Sequence, residues 1–222
     1  MTNSKFSLLE TKVKLFLNNE SSGHDYSHAE RVYTTACYLQ QFEGGDLTVI
    51  GAAALVHDIC RPWEKKTGKS HFGPEALEII KKVLIDAKID QAKIPSILDA
   101  VAQHDIYDWT IKQSKSIELQ IVQDADNLDA IGAMGIARTF AFGGAKGLEM
   151  YIPGENLDFS ADYIETPTEK TSAISHFYEK LLHIAENMNT QTGKQLAAKK
   201  HAIMEDFLKQ FFAEWHGEFE TK

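Results

Sequence analysis

The reading of the fold turns on Ala52-Ala53-Ala54-Leu55-Val56-His57-Asp58-Ile59-Cys60-Arg61, a run of small and apolar residues that ends in an adjacent His and Asp. Successive residues on an α-helix lie about 100° apart, so both side chains can enter one cleft only where the helix ends or bends. Pro62 supplies a reason for a bend, because it disfavours helix at Arg61. Two readings of the pair stay open here. It is either a set of metal ligands delivered to a cleft or a capping pair at an ordinary helix C-terminus, where an imidazole meets the negative end of the dipole.

Outward from this run, helical spacing covers most of the chain. Phe6, Leu9, Val13, Phe16 and Leu17 predict a first helix, and Val32, Ala36 and Leu39 a second from about Ser27 to Phe42, stopped by Gly44-Gly45. Asp46 is an N-cap for the third helix, which runs into His57-Asp58. A charged loop is expected from Arg61 to Ser70, then a helix opened by Gly73-Pro74 and one holding Ile97, Leu98, Val101 and His104. A sixth begins near Ser116 and continues through Val122, Asp126, Leu128 and Ile131 to about Phe140. Gly143 to Thr166 reads as a long glycine-rich loop or lid. Thr166-Pro167-Thr168-Glu169 reads as a capping box that opens a helix to about Met188. After Asn189 to Gly193, a last helix carries Leu196, Ile203, Phe207, Phe211 and Trp215. The expectation is an all-α helical bundle forming one domain, with a core over about 20–140 and a C-terminal helical part over about 166–217.

Composition sets the class. With 43% apolar residues, 25% charged residues and a net charge of −9, the chain is globular and unsuited to a broad nucleic-acid surface, which needs a basic stripe. Cys37 and Cys60 form no disulfide framework or zinc-knuckle spacing and read as reduced, buried thiols. The N-terminus turns polar too soon for a signal peptide, and no apolar run approaches the roughly 20 residues that span a bilayer. A cytoplasmic protein without membrane or nucleic-acid partners, monomeric or homodimeric, is expected. Thr67-Gly68-Lys69-Ser70 ends like a phosphate-binding loop, but Trp63 stands where the first glycine belongs and no strand precedes it.

The chemistry-bearing residues are His28 in Gly23-His24-Asp25-Tyr26-Ser27-His28-Ala29-Glu30-Arg31-Val32, the pair His57-Asp58, and Asp126 in Gln123-Asp124-Ala125-Asp126-Asn127-Leu128-Asp129. This mixed nitrogen and oxygen set suits a borderline divalent metal and leaves room for water. Asp126 and Asp129 share a helical face, whereas Asp124 points elsewhere and reads as an acid on a solvated face.

The pattern resembles the HD superfamily of metal-dependent phosphohydrolases, whose signature is His, then His-Asp, then Asp on separate helices of an all-helical core. The phrases Gln123-Asp-Ala-Asp-Asn-Leu-Asp-Ala-Ile-Gly-Ala133 and His176-Phe-Tyr-Glu-Lys-Leu-Leu182 look like one bacterial branch of it. The resemblance implies His28, His57, Asp58 and Asp126 as metal ligands. The ion is expected to be Mn2+, with Mg2+, Fe2+, Co2+, Ni2+ or Zn2+ as alternatives. It implies that such an ion activates water for attack on phosphorus. Asp58, Arg61 and His104 are expected to be catalytic, and Arg31, Arg61, His71 and Lys180 to bind substrate phosphates, by charge and nearness to the motifs.

Each of these assignments has an alternative. Arg31 could instead form a salt bridge, Lys180 could be a solvated helix residue, His71 could belong to a loop, and His104 could be a surface histidine. His24 and Asp25 read as capping or supporting residues. Arg61 stands where nucleotidase members often carry a catalytic acid, and Glu64 is the first acid beyond it. The implied activity is nucleotide hydrolysis, with nucleoside triphosphate pyrophosphohydrolase first. The alternatives are a nucleoside monophosphate phosphatase and a non-catalytic nucleotide-binding sensor that carries a metal.

Overall fold

The structure, a computed structural model, describes residues 6–18, 23–105, 114–158 and 172–218. The described residues hold helices and turns and no strand, as the periodicity predicts. They divide into two compact units. The first runs to Asp126 and takes in Asn189–Gly193, and the second comprises Asn127–Met188 and the chain from Lys194.

The first unit is built on α3 (Leu47–Val56), every residue of which from Thr48 on is buried. A helix apolar on all sides has to be central, and α3 packs against α1 (Ser7–Phe16), α2 (Tyr26–Glu43) and α6 (Ile94–Gln103). Gly51 lets the helices approach closely. A Cβ there would lie 2.8 Å from the Phe6 ring and 3.0 Å from that of Tyr33. Asp46 caps α3 by accepting from the Thr48 and Val49 amides at 2.7 and 3.3 Å. Asp25 caps α2 by accepting from the His28 amide at 2.9 Å, which fixes the first turn at the residue expected to bind metal.

The expected loop after Arg61 contains α4 (Arg61–Thr67). Pro62 falls in its first turn, where a missing N–H costs nothing, and Gly68 ends it in the left-handed region at φ +70°. The helix α5 (Pro74–Asp86) starts at Gly73-Pro74 as expected. The predicted sixth helix is two: α7 (Ile117–Asp129) and α8 (Gly132–Lys146). Ile131 is extended and Gly132 adopts φ +73°, while a Cβ on Gly132 would come within 2.9 Å of the Lys200 side chain. Gly143 and Gly144 therefore lie inside α8, and the glycine that ends it is Gly147 at φ +71°.

In the second unit the helix expected to reach Met188 is shorter. Ser172 caps α9 (Ala173–Glu179), and 3-10 turns follow at Leu181–His183 and Ala185–Asn187. The proposed capping box at 166–169 lies outside the described residues. The long helix α10 (Gln191–His216) begins two residues earlier than the glycine expected to precede it. Phe140, Phe177, Phe207 and Phe211 form the aromatic core of this unit, with ring centroids 5.8–6.5 Å apart. No helix among the described residues is long and apolar enough to cross a membrane.

Candidate metal centre

Two histidines stand immediately past helix ends and are fixed in the same way. His57 follows α3 and donates Nδ1–H to the Ala54 carbonyl at 2.8 Å, and His104 follows α6 and donates Nδ1–H to the Val101 carbonyl at 2.7 Å. The last carbonyls of a helix lack intrahelical donors, so each ring closes its own helix. The same bond fixes the tautomer that leaves an Nε2 lone pair facing inward. Burial pushes the His57 pKa down to about 4, so the ring is neutral at pH 7 and ready to act as a ligand.

His28 Nε2 lies 3.1 Å from His57 Nε2, 3.6 Å from Asp58 Oδ2 and 3.3 Å from Asp126 Oδ1. His57 Nε2 is 3.6 Å from Asp58 Oδ2 and 3.8 Å from Asp126 Oδ1. Edges of this length belong to a coordination shell with bonds of about 2.0–2.3 Å. Two imidazole nitrogens facing each other between two carboxylates make a donor set that fits a divalent cation. Both imidazoles thus lie near both carboxylates, and two overlapping sets of possible ligands, His28 with His57 and Asp58, and His57 with His104 and Asp126, each keep their ligand atoms within 4.8 Å of one another.

The other oxygen of Asp58 faces a second group. Its Oδ1 is 3.3 Å from His71 Nε2 and 3.7 Å from His104 Nε2. Both nitrogens are buried, and neither has a hydrogen bond of good geometry. His71 does lie in the turn between α4 and α5, as its alternative reading has it, but it is buried at 1% exposure, and His104, 2% exposed, is not the surface histidine of its alternative. Phe72 packs edge-on against both rings, with centroids 4.7 and 5.8 Å away. Burial opposes protonation of His104, but Asp58 and Asp105 outweigh it and raise its pKa.

Arg61 is held by acids. Its Nε donates to Asp58 Oδ1 at 2.9 Å and its Nη2 to Asp105 Oδ2 at 3.0 Å, with Nη1 3.8 Å from Glu64 Oε2. Burial would raise the Asp58 pKa, but Arg61 first and then the histidines hold it well below the carboxylate range. Asp126 is lowered as well: burial again opposes, and His28 and His57 prevail. Three carboxylates share one guanidinium and Asp126 faces His57, neutral at pH 7, so a cation is the group this charge pattern accommodates.

Sequence reasoning gave no role to two residues here. Glu64 accepts from His71 Nδ1 at 3.0 Å and from its backbone amide at 3.3 Å, and Asp105 anchors Arg61. Both stand beside residues already singled out, one helical turn from Arg61 and next to His104. His24 Nε2 lies 3.9 Å from Asp58 Oδ2, in a supporting position. Arg31 is half-buried one turn along α2 from His28, and Lys180 lies in the second unit, where α9 ends.

Asp124 corrects the sequence reading. It is buried, and its carboxylate accepts from the Asn189 and Thr190 amides, Asn189 Nδ2 and Thr190 Oγ1 at 2.7–2.8 Å. Burial raises its pKa against these bonds. The third acid, Asp129, is paired with Arg138 at 2.8 Å.

Helix-end imidazoles and carboxylates gathered on an all-α core define a candidate centre for a divalent metal. Residues 25–131 match the HD domain family. YpgQ of Bacillus subtilis is 34% identical over 204 residues, covering 91% of this chain and 89% of its own. Among solved structures, a Lactobacillus plantarum protein superimposes with a TM-score of 0.79 at 32% identity, covering 97% of this chain and 99% of its own. An HD-superfamily hydrolase of Bacillus thuringiensis gives 0.72 at 36% identity, covering 96% and 97%. YpgQ in complex with ADP gives 0.69 at 30% identity, covering 92% and 97%. The chain belongs to the HD-domain family and is a metal-dependent hydrolase.

Proposed function

We propose that this protein is a nucleoside triphosphate pyrophosphohydrolase that cleaves a phosphoanhydride to release pyrophosphate. The observation that carries the reading is the cluster in which the Nε2 atoms of His28 and His57 lie 3.1 Å apart and each lies 3.3–3.8 Å from carboxylate oxygens of Asp58 and Asp126. A nucleotide substrate is supported by YpgQ, a relative solved with ADP. Cleavage of the anhydride rather than an ester is supported by the Gln123-to-Ala133 phrase.

The four ligands would hold one divalent ion, Mn2+ before the others, and such an ion supplies an activated water near neutral pH and offsets phosphoryl charge. Asp58 takes part in catalysis through one oxygen in this set and the other beside His71 and His104. His104, with its raised pKa and inward Nε2, is suited to hold a proton next to the reacting phosphoryl group. Arg61 orients Asp58 and keeps a positive charge at the edge of the centre, where an anionic phosphate would sit. Arg31, His71 and Lys180 are the further phosphate-binding candidates. The reading places the protein in the cytoplasm, where such substrates are found.

Metal-stripped protein reloaded with Mn2+ and incubated with a deoxynucleoside triphosphate tests this. Monophosphate plus pyrophosphate is expected, and His57→Ala should abolish both turnover and Mn2+ uptake while leaving most helicity. Nucleoside plus triphosphate would mean ester cleavage, and orthophosphate released from a monophosphate would mean a phosphatase. Binding without turnover would favour a sensor.

A further inference from the structure

The phrase that supplies Asp126 also buries Gln123, which is 5% exposed and has no part in the donor set. Its Oε1 accepts from Lys115 Nζ at 2.7 Å, and its Nε2 donates to the Gln103 carbonyl at 2.9 Å. An ammonium only donates, so Lys115 fixes which way round the amide lies. Gln103 is the last residue of α6, and its carbonyl is among those a helix leaves unpaired. The next residue is His104. Gln123 itself lies one turn before Asp126 on α7. One side chain therefore ties the helix that presents Asp126 to the helix end that presents His104. His57, His104 and Asp126 offer ligand atoms that all lie within 4.8 Å of one another.

The tie is braced on a second side. Lys115 Nζ also donates to Asn189 Oδ1 at 3.1 Å, and Asn189 in turn donates to Asp124 on the next position of α7. We propose that Gln123, clamped by Lys115, is a positioning residue of the metal centre that sets the spacing between His104 and Asp126. It makes no contact with the ion. Groups bonded directly to a ligand commonly change metal affinity by about tenfold or more when lost, which is an upper bound for Gln123, bonded to the carbonyl before His104 and set on the helix of Asp126. The inference rests on the metal reading of the cluster and not on which bond is cleaved.

Four full-length chains, metal-stripped and titrated with Mn2+ by calorimetry, test it: wild type, Gln123→Met, Lys115→Met and the double variant. Gln123→Met should raise the Mn2+ Kd several-fold, up to about tenfold, and Lys115→Met should raise it by less. Because Lys115 acts through Gln123, the double variant should bind no worse than Gln123→Met alone. Equal affinity in all four chains, or losses that simply add, would overturn the proposal. Should Gln123→Met not fold, Lys115→Met decides, since that side chain is half-buried, and unchanged affinity there overturns it. Wild-type protein that takes up no Mn2+ would overturn the metal assignment and this inference with it.

Discussion

Replacing Arg61 by Met should destabilise the metal-free protein about twice as much as the metal-loaded one. The guanidinium is 23% exposed, and the carboxylates it joins at 2.9 and 3.0 Å, Asp58 and Asp105, are 2% and 13% exposed. Removing one partner of a buried charge pair costs about 3–5 kcal/mol. Partial exposure of the guanidinium places this case near the lower end, at about 3 kcal/mol. With a urea m-value of about 2 kcal/mol/M, the midpoint should fall by roughly 1.5 M.

Saturating Mn2+ brings a positive charge to Asp58 and leaves Asp105 uncompensated, so about half of the loss should be recovered. Arg61→Lys should recover less, because one ammonium cannot span both carboxylates as a planar fork does. Urea denaturation followed by far-UV circular dichroism, with and without Mn2+, measures all of this. A loss under about 1 kcal/mol in the metal-free state, or the same loss in both states, would refute the reasoning.

Two further predictions concern groups away from Arg61. The His57 pKa is about 4 in the folded protein against 6.5 for the free group, so the unfolded chain takes up the proton first as pH falls. This contribution to stability is present at neutral pH and is lost from about 6.5 down to 4. On going from pH 7 to 5 the metal-free protein should lose about 2 kcal/mol more than His57→Gln, and parallel pH profiles would contradict this. Gly193→Ala places a Cβ against Asp124 Oδ2 and 2.7 Å from Thr190 Oγ1. Overpacking of about 1–3 kcal/mol should outweigh the roughly 1 kcal/mol that alanine gains in a helix, and a raised melting temperature would show the reverse.

The parts of the site readable from sequence are those fixed by local chemistry. His57 could be placed at a helix end because the apolar run before it has helical character and Pro62 follows. Asp126 could be preferred over Asp124 by helix phase, yet the fate of Asp124 could not, since its partners Asn189 and Thr190 are distant in the chain. The same holds for Arg61: positive charge near a motif suggests phosphate, while its carboxylate partner Asp105 is brought in by the packing of α6. The break after Asp129 leaves no mark in the apolar spacing, because Ile131 continues the period. The cause is the φ of +73° at Gly132, set against Lys200. Gly143 and Gly144 suggest a loop by composition, yet both lie within α8, since a helix tolerates glycine when its neighbours carry it.

The short stretch Asn189–Gly193, grouped with the metal-bearing unit despite its late position in the chain, limits how this protein can be cut. A fragment trimmed to the family-matched residues 25–131 would keep all four expected ligands and discard the four donors that satisfy the Asp124 carboxylate. It would also strip α1, and with it Leu9 and Val13, both fully buried, from the side of α3. Such a piece would carry the signature without the scaffold. A gene rearrangement that moved those residues alone into another protein would transplant a recognisable motif and leave its activity behind.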